Sequence, residues 1–206
     1  MASEDEVELA ISAGAHALGF VSAMPSGPGP IDEDLIARLA ARVPPPIATF
    51  LLTAANDADT IIAQQRHCGT NTLQLVDAVQ PGTHERLRTE LLGVRIVQVI
   101  HVRNEESIDE AVAVAPFVDA ILLDSGNPTL KIKVLGGTGR LHNWSISRSI
   151  REAVNIPVFL AGGLKPNNVR AAIEAVHPFG IDVCSGLRSD GQLDPAKLYD
   201  FMCALR

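Results

Sequence analysis

Asp124 ends the apolar run VDAILLD (118–124), and three glycine groups follow it: GGTG (136–139), AGGLKPNNV (161–169) and CSGLR (184–188). A carboxyl placed after Leu122 and Leu123 at a strand end loses hydration, which raises its pKa and suits it to general-acid work. The same aspartate also begins DSGNP, where its side chain would bind the backbone N–H groups of a turn, and residue type alone leaves both roles open. Glycine lets backbone N–H groups approach an anion closely, and a helix N-terminus adds a favourable dipole. Any one of these glycine pairs is commonly a tight turn. Their succession in consecutive loops points instead to a phosphate held between the last two, and so to a phosphorylated small molecule as ligand. Asp182 alternates with Cys184 along GIDVCSG (180–186), which turns both to the same side. Asp182 is expected to be a hydrogen-bonded structural group rather than a second catalyst.

Positioning these residues requires a particular succession of elements. Apolar runs recur at 16–21, 47–52, 72–76, 95–102, 118–124, 156–162 and 180–186, without clean polar alternation, as parallel strands covered by helices require. Helical spacing fills the intervals. Ser3 with Glu6 forms a capping box, Asp32 opens IDEDLIARLAARV, and further helices are predicted over 57–67, 81–91, 105–115, 145–154, 166–176 and 194–205. Pro166 falls in the first turn of its helix on this reading. Seven strands with eight helices is one strand short of a (β/α)8 TIM barrel, and the chain opens helix first, where that strand would stand. An open dinucleotide-binding sheet is the alternative, but no G-x-G-x-x-G follows the first strand. Residues 1–206 read as a single barrel domain.

Composition narrows the partners. The formal charge of −7 gives no global attraction for nucleic acid or an anionic membrane, and no apolar run approaches the roughly 18 residues of a membrane span. Three cysteines, Cys68, Cys184 and Cys203, form no C-x-x-C pair, so neither a disulfide framework nor a zinc site is indicated and a cytoplasmic setting is expected. Cys68 beside Gly69 marks a helix end, while Cys184 and Cys203 read as apolar packing positions.

The succession GAHALGFV, TLQLV, AILLD, GGTG with a nearby tryptophan, PVFLAGGLKPNNV and GIDVCSG resembles the phosphoribosylanthranilate isomerase family of tryptophan biosynthesis, over essentially the whole chain. The resemblance implies a (β/α)8 barrel that needs no metal or organic cofactor, acts on a phosphoribosyl small molecule as a monomer or homodimer, and performs an Amadori rearrangement. It implies Asp124 as the acid that protonates the ribose ring oxygen. Gly162, Gly163, Ser185 and Gly186 match the phosphate loops, and Gly136, Gly137, Thr138 and Gly139 match a loop closing over the site.

Two departures accompany it. The family's general base is a cysteine in a K-I-C-G motif ending the first strand, and no such motif stands in this sequence. Truncation or a misplaced start is the expected cause, and the chain as written is expected to be poorly active or inactive. Placed acid-base groups are worth about 10² to 10⁴ in rate. The loop SAMPSGPGPID (22–32) lacks the arginine of the family's S-P-R-like segment, and LQLVD puts Val76 and Asp77 where histidine and glycine are usual. A phosphosugar-binding homologue without turnover is therefore the competing expectation. Of the remaining residues, Trp144 is expected to pack a helix start, and His101 and His142 to be structural. Arg188 suits either a phosphate contact or an exposed loop. His16, His67, His84 and His177 form no metal pattern.

Overall fold

The computed structural model describes residues 1–25, 29–126 and 142–205. Seven strands run parallel in one curled sheet in chain order: β1 Ala17–Val21, β2 Ala48–Thr53, β3 Thr72–Leu75, β4 Arg95–His101, β5 Ala120–Asp124, β6 Val158–Leu160 and β7 Gly180–Ile181. Helices alternate with them: α1 Glu4–Ser12, α2 Glu33–Ala40, α3 Ala58–Cys68, α4 Thr83–Glu90, α5 Glu106–Val114, α6 Trp144–Ala153, α7 Val169–Val176 and α8 Pro195–Ala204. The order and the strand-to-helix alternation are those of a (β/α)8-type barrel, with β1 and β7 as the end strands of the sheet.

Side-chain caps set several helix starts, those at Ser3 and Asp32 being the two read from sequence. Ser3 accepts from the Glu6 N–H, and Asp32, Asp57, Asn143 and Asp194 cap α2, α3, α6 and α8 through their side chains. Gly69, with φ at 66°, ends α3 directly after Cys68, as a left-handed C-terminal position favours.

The sheet separates two cores. Outward-facing residues such as Phe20, Leu51, Leu73, Ile96, Ile121 and Leu160 pack under the helices with Ile36, Ile61 and Val169. Inward-facing Val76, Val97, Val99, Ala120, Leu122 and Ala161, with Phe50 and Phe159, fill the barrel interior. This alternation decides the site: Val97, Val99 and His101 share one side of β4, and Ala120, Leu122 and Asp124 share one side of β5.

Three sequence expectations are corrected. The strand expected over 180–186 is two residues long: the Asp182 N–H still donates to Leu160 O, but Cys184 at φ −130° and ψ −75° turns the chain into a short 3-10 turn, Ser185–Leu187. Helix α7 begins at Val169, so Pro166 lies in the preceding turn, where the Asn168 carboxamide accepts from Lys165 N and donates to Gly163 O. A hairpin of β8 Arg188–Ser189 and β9 Gln192–Leu193 was not anticipated; Asp190 and Gly191, at φ 50° and 80°, make its turn.

Candidate active site

Asp124 stands at the C-terminal end of β5 with its side chain turned into the barrel, and only 6% of the residue is exposed. It pairs in register with His101 on β4, whose backbone neighbour Val102 donates to Asp124 O at 2.9 Å. Burial pushes the Asp124 carboxyl upward; hydrogen bonds from the Ser125 N–H and hydroxyl, and the His101 charge, oppose this without reversing it. A carboxyl at a barrel mouth that retains its proton to higher pH is competent as an acid.

The two glycine loops come to the same place. Ala161 N–H donates to Leu123 O at 2.8 Å, which fixes the loop leaving β6 beside Asp124. Gly162 and Gly163 then take φ of 83° and 66°, a region open to glycine. A Cβ at Gly162 would lie 3.1 Å from Asp124 Oδ1, and one at Gly186 would lie 2.4 Å from Leu164 O. One cleft is lined by Asp124, Gly162, Gly163, Asp182, Ser185 and Gly186. Four residues of the two loops thus meet the carboxylate they were separated from in sequence. The GGTG segment at 136–139 lies outside the described residues.

Asp182 is closer to this chemistry than its sequence reading allowed. It lines the cleft, open to water along one side yet densely surrounded by protein, and its carboxyl is pushed up to about 6 by burial and then by the Asp124 charge. Its alternation with Cys184 was the only signal. Cys184 is exposed in the cleft wall and Cys203 is exposed on α8, so neither is the core thiol expected. Arg188 is resolved as structural: its guanidinium makes a two-pronged ion pair with Glu6 at 2.8 and 2.9 Å, with each side chain 10% exposed. Burial would raise Glu6, but the bonds from Arg188 and from the Leu193 and Ala2 N–H groups prevail and bring it down to about 2.

His101 is buried, with Nε2 donating to Val76 O at 3.0 Å. Trp144 opens α6 and packs on the core, as expected. His142 is brought beside Asp124 and Gly162, a convergence that no spacing in the sequence announced.

A parallel barrel whose buried carboxyl and glycine loops gather at the C-terminal strand ends belongs to the class of β/α-barrel enzymes. Comparison with known proteins refines this. The family model described as N-(5'-phosphoribosyl)anthranilate (PRA) isomerase matches residues 3–204. The N-(5'-phosphoribosyl)anthranilate isomerase of Methanothrix thermoacetophila is 33% identical over 98% of this chain and 93% of its own, and that of Haloferax volcanii is 36% identical over 91% and 82%. Among solved structures, the enzyme from Thermococcus kodakaraensis superposes with a TM-score of 0.83 at 27% identity, covering 100% of this chain and 95% of its own. A phosphoribosyl anthranilate isomerase solved with reduced 1-(o-carboxyphenylamino)-1-deoxyribulose 5-phosphate superposes at 0.78 with 25% identity, over 98% and 93%. The chain belongs to the N-(5'-phosphoribosyl)anthranilate isomerase family.

Proposed function

We propose that this chain is an isomerase of an N-linked phosphoribosyl compound, N-(5'-phosphoribosyl)anthranilate, converting the aminoaldose to the aminoketose. The observation that carries the reading is the meeting of Asp124 with the loops at 161–164 and 184–187 around one cleft, in a chain of this family. Gly162, Gly163, Ser185 and Gly186 hold the phosphate at one end, using backbone N–H groups that only small residues leave accessible. This anchors the sugar with its ring oxygen toward Asp124. The buried carboxylic acid then gives its proton to that oxygen, the C1–O bond breaks with its electron pair going to the oxygen, and the nitrogen lone pair forms C1=N. Transfer of the C2 proton to a base gives the C1=C2 enaminol, which gains a proton at C1 and loses the one on its 2-hydroxyl to become the aminoketose; none of the residues assigned above is that base. The segment containing Gly136, Gly137, Thr138 and Gly139 covers the opened intermediate on this reading.

The test separates anchor from acid. Gly163→Asp is expected to abolish binding of ribose 5-phosphate in calorimetry, while Asp124→Asn retains binding and loses turnover of phosphoribosylanthranilate followed by its fluorescence. Equal loss of binding in both variants would defeat the division of roles. Turnover in Asp124→Asn at the rate of the unaltered chain would defeat the acid assignment.

A further inference from the structure

His142 and Asp124 meet over Gly162, where a Cβ would lie 3.1 Å from an atom of each. His142 stands two residues before α6, and its Nε2 lies 2.8 Å from the hydroxyl of Ser147, which is fully buried. That hydroxyl also reaches Asn143 O at 3.4 Å, a carbonyl that accepts the Ser147 N–H at 3.2 Å. Asn143 O can accept twice, so these contacts fit either ring tautomer; we take the one in which Ser147 donates to Nε2 and the ring proton is on Nδ1. Burial lowers His142 to about 4, so near neutral pH the ring carries a single proton.

Nδ1 is buried with no hydrogen-bond partner among the described residues. A buried ring nitrogen without a partner is costly in either tautomer and calls for a reason. The reason lies at Gly162. A Cβ there would sit 3.1 Å from His142 Nδ1, 3.1 Å from Asp124 Oδ1 and 3.0 Å from Ser125 Oγ. All three atoms therefore face one point, and the glycine keeps that point clear of a side chain. The other titratable groups about this point are His101 on β4 and Asp182 at the end of β7; the Nε2 of His101 is already committed to Val76 O.

We propose that His142 is a positioning residue for Asp124: when a ligand fills the cleft, Nδ1–H donates to Oδ1, which leaves the acid's proton on Oδ2 facing the ligand. The proton then passes from Oδ2 to the sugar ring oxygen, and the same Nδ1–H holds the carboxylate that remains. This rests on the reading of Asp124 as the acid, so one arm of the test does not depend on turnover.

In that arm, the imidazole 15N resonances of the unaltered chain are followed with and without ribose 5-phosphate, His142 being assigned by its loss in His142→Gln. Expected is a proton bonded to Nδ1 whose resonance shifts on adding the probe, and which no longer responds in Asp124→Leu or Asp124→Ala. A proton found on Nε2, or a response unchanged by removing the carboxyl, would overturn the proposal. In the kinetic arm, His142→Gln reaches only Ser147, whereas His142→Asn keeps an N–H near the place of Nδ1. The glutamine variant is expected to lose about 10- to 100-fold in kcat with KM within about twofold, and the asparagine variant to recover part of it. Unchanged kcat in His142→Gln, or a loss confined to KM, would overturn it. Absence of turnover in the unaltered chain is what the missing cysteine motif alone would produce; it would close the kinetic arm and leave the 15N result to decide the His142–Asp124 pairing.

Discussion

Gly186→Ala tests whether the two glycine loops form one anchor. The added methyl would stand 2.4 Å from Leu164 O, a backbone atom, and 3.5 Å from the Val183 side chain. Unbonded carbon and carbonyl oxygen rest at roughly 3.3 Å or more, so the loops must part by ~1 Å. Leu164 is 2% exposed and cannot swing away without disturbing the core. Overpacking of this kind costs about 1–3 kcal/mol. For a chain of this size the midpoint of thermal unfolding should fall by roughly 3–10 °C. Affinity should fall as well, because parting the loops by ~1 Å moves their N–H groups out of hydrogen-bond range of a shared anion, and each bond to a charged group lost is worth about 1.5–3 kcal/mol, roughly 10- to 100-fold. Calorimetric titration with ribose 5-phosphate beside thermal unfolding measures both. Gly93→Ala is the control: Gly93 has φ 86° with nothing within 4 Å of its Cβ position, so the variant should lose about 1 kcal/mol of stability and keep its affinity. Gly186→Ala binding the ester as tightly as the unaltered chain would refute the shared anchor.

Three further outcomes are expected. Arg188→Met should cost about 3–5 kcal/mol by stranding the Glu6 carboxylate between α1 and β9, and adding Glu6→Leu should recover part of it; denaturant unfolding of both variants checks this, and equal stability of the two would argue against stranded charge. Because Glu6 is depressed to about 2 in the fold, its contribution is present above its ordinary value of 4.5 and lost as pH falls from there toward 2, so the deficit of Glu6→Gln in urea titrations should shrink across that window. Asp182 runs the other way: raised from 3.8 to about 6, it favours the fold at low pH and loses that contribution as pH rises through 6, so Asp182→Asn should gain thermal stability over the unaltered chain above pH 6 and not below pH 4.

The alternation of apolar runs with capped helices carried the barrel, because β3, β4 and β5 bury both faces and each cap is a local bond between neighbours in sequence. Asp124 was legible for the same reason: a charge ending an apolar run can be read without knowing what lies across from it. What failed depended on distant partners. The shortness of β7 reflects a turn at Cys184 that its strand-like composition conceals. Arg188 looked free for a phosphate because Glu6, 182 residues away, is invisible from CSGLR. His142 looked structural because Asp124 and Gly162 come near it from two other segments of the chain. Only the hairpin had a local signal that went unread, the Asp190–Gly191 pair.

The distribution of unsatisfied atoms joins the fold to the site. Four buried side-chain atoms among the described residues have no protein partner: Ser22 Oγ, His101 Nδ1, His142 Nδ1 and Trp144 Nε1. Each costs stability of about 1–3 kcal/mol if left unpaired. Ser22 directly follows β1, His101 ends β4, and His142 and Trp144 lie in and just beyond the connection that leaves β5. Three of the four therefore belong to the C-terminal ends of strands or the connections leaving them, the face where Asp124 and the glycine loops stand, and Trp144 opens the helix that follows. The apolar layers beneath, from Phe50 to Leu122, carry none of them. Random imperfections of packing would be scattered between the helix layer and the barrel floor. The grouping of these atoms near the strand ends, with His142 Nδ1 facing the same point as Asp124 Oδ1, sets this part of the molecule apart from the apolar floor beneath it.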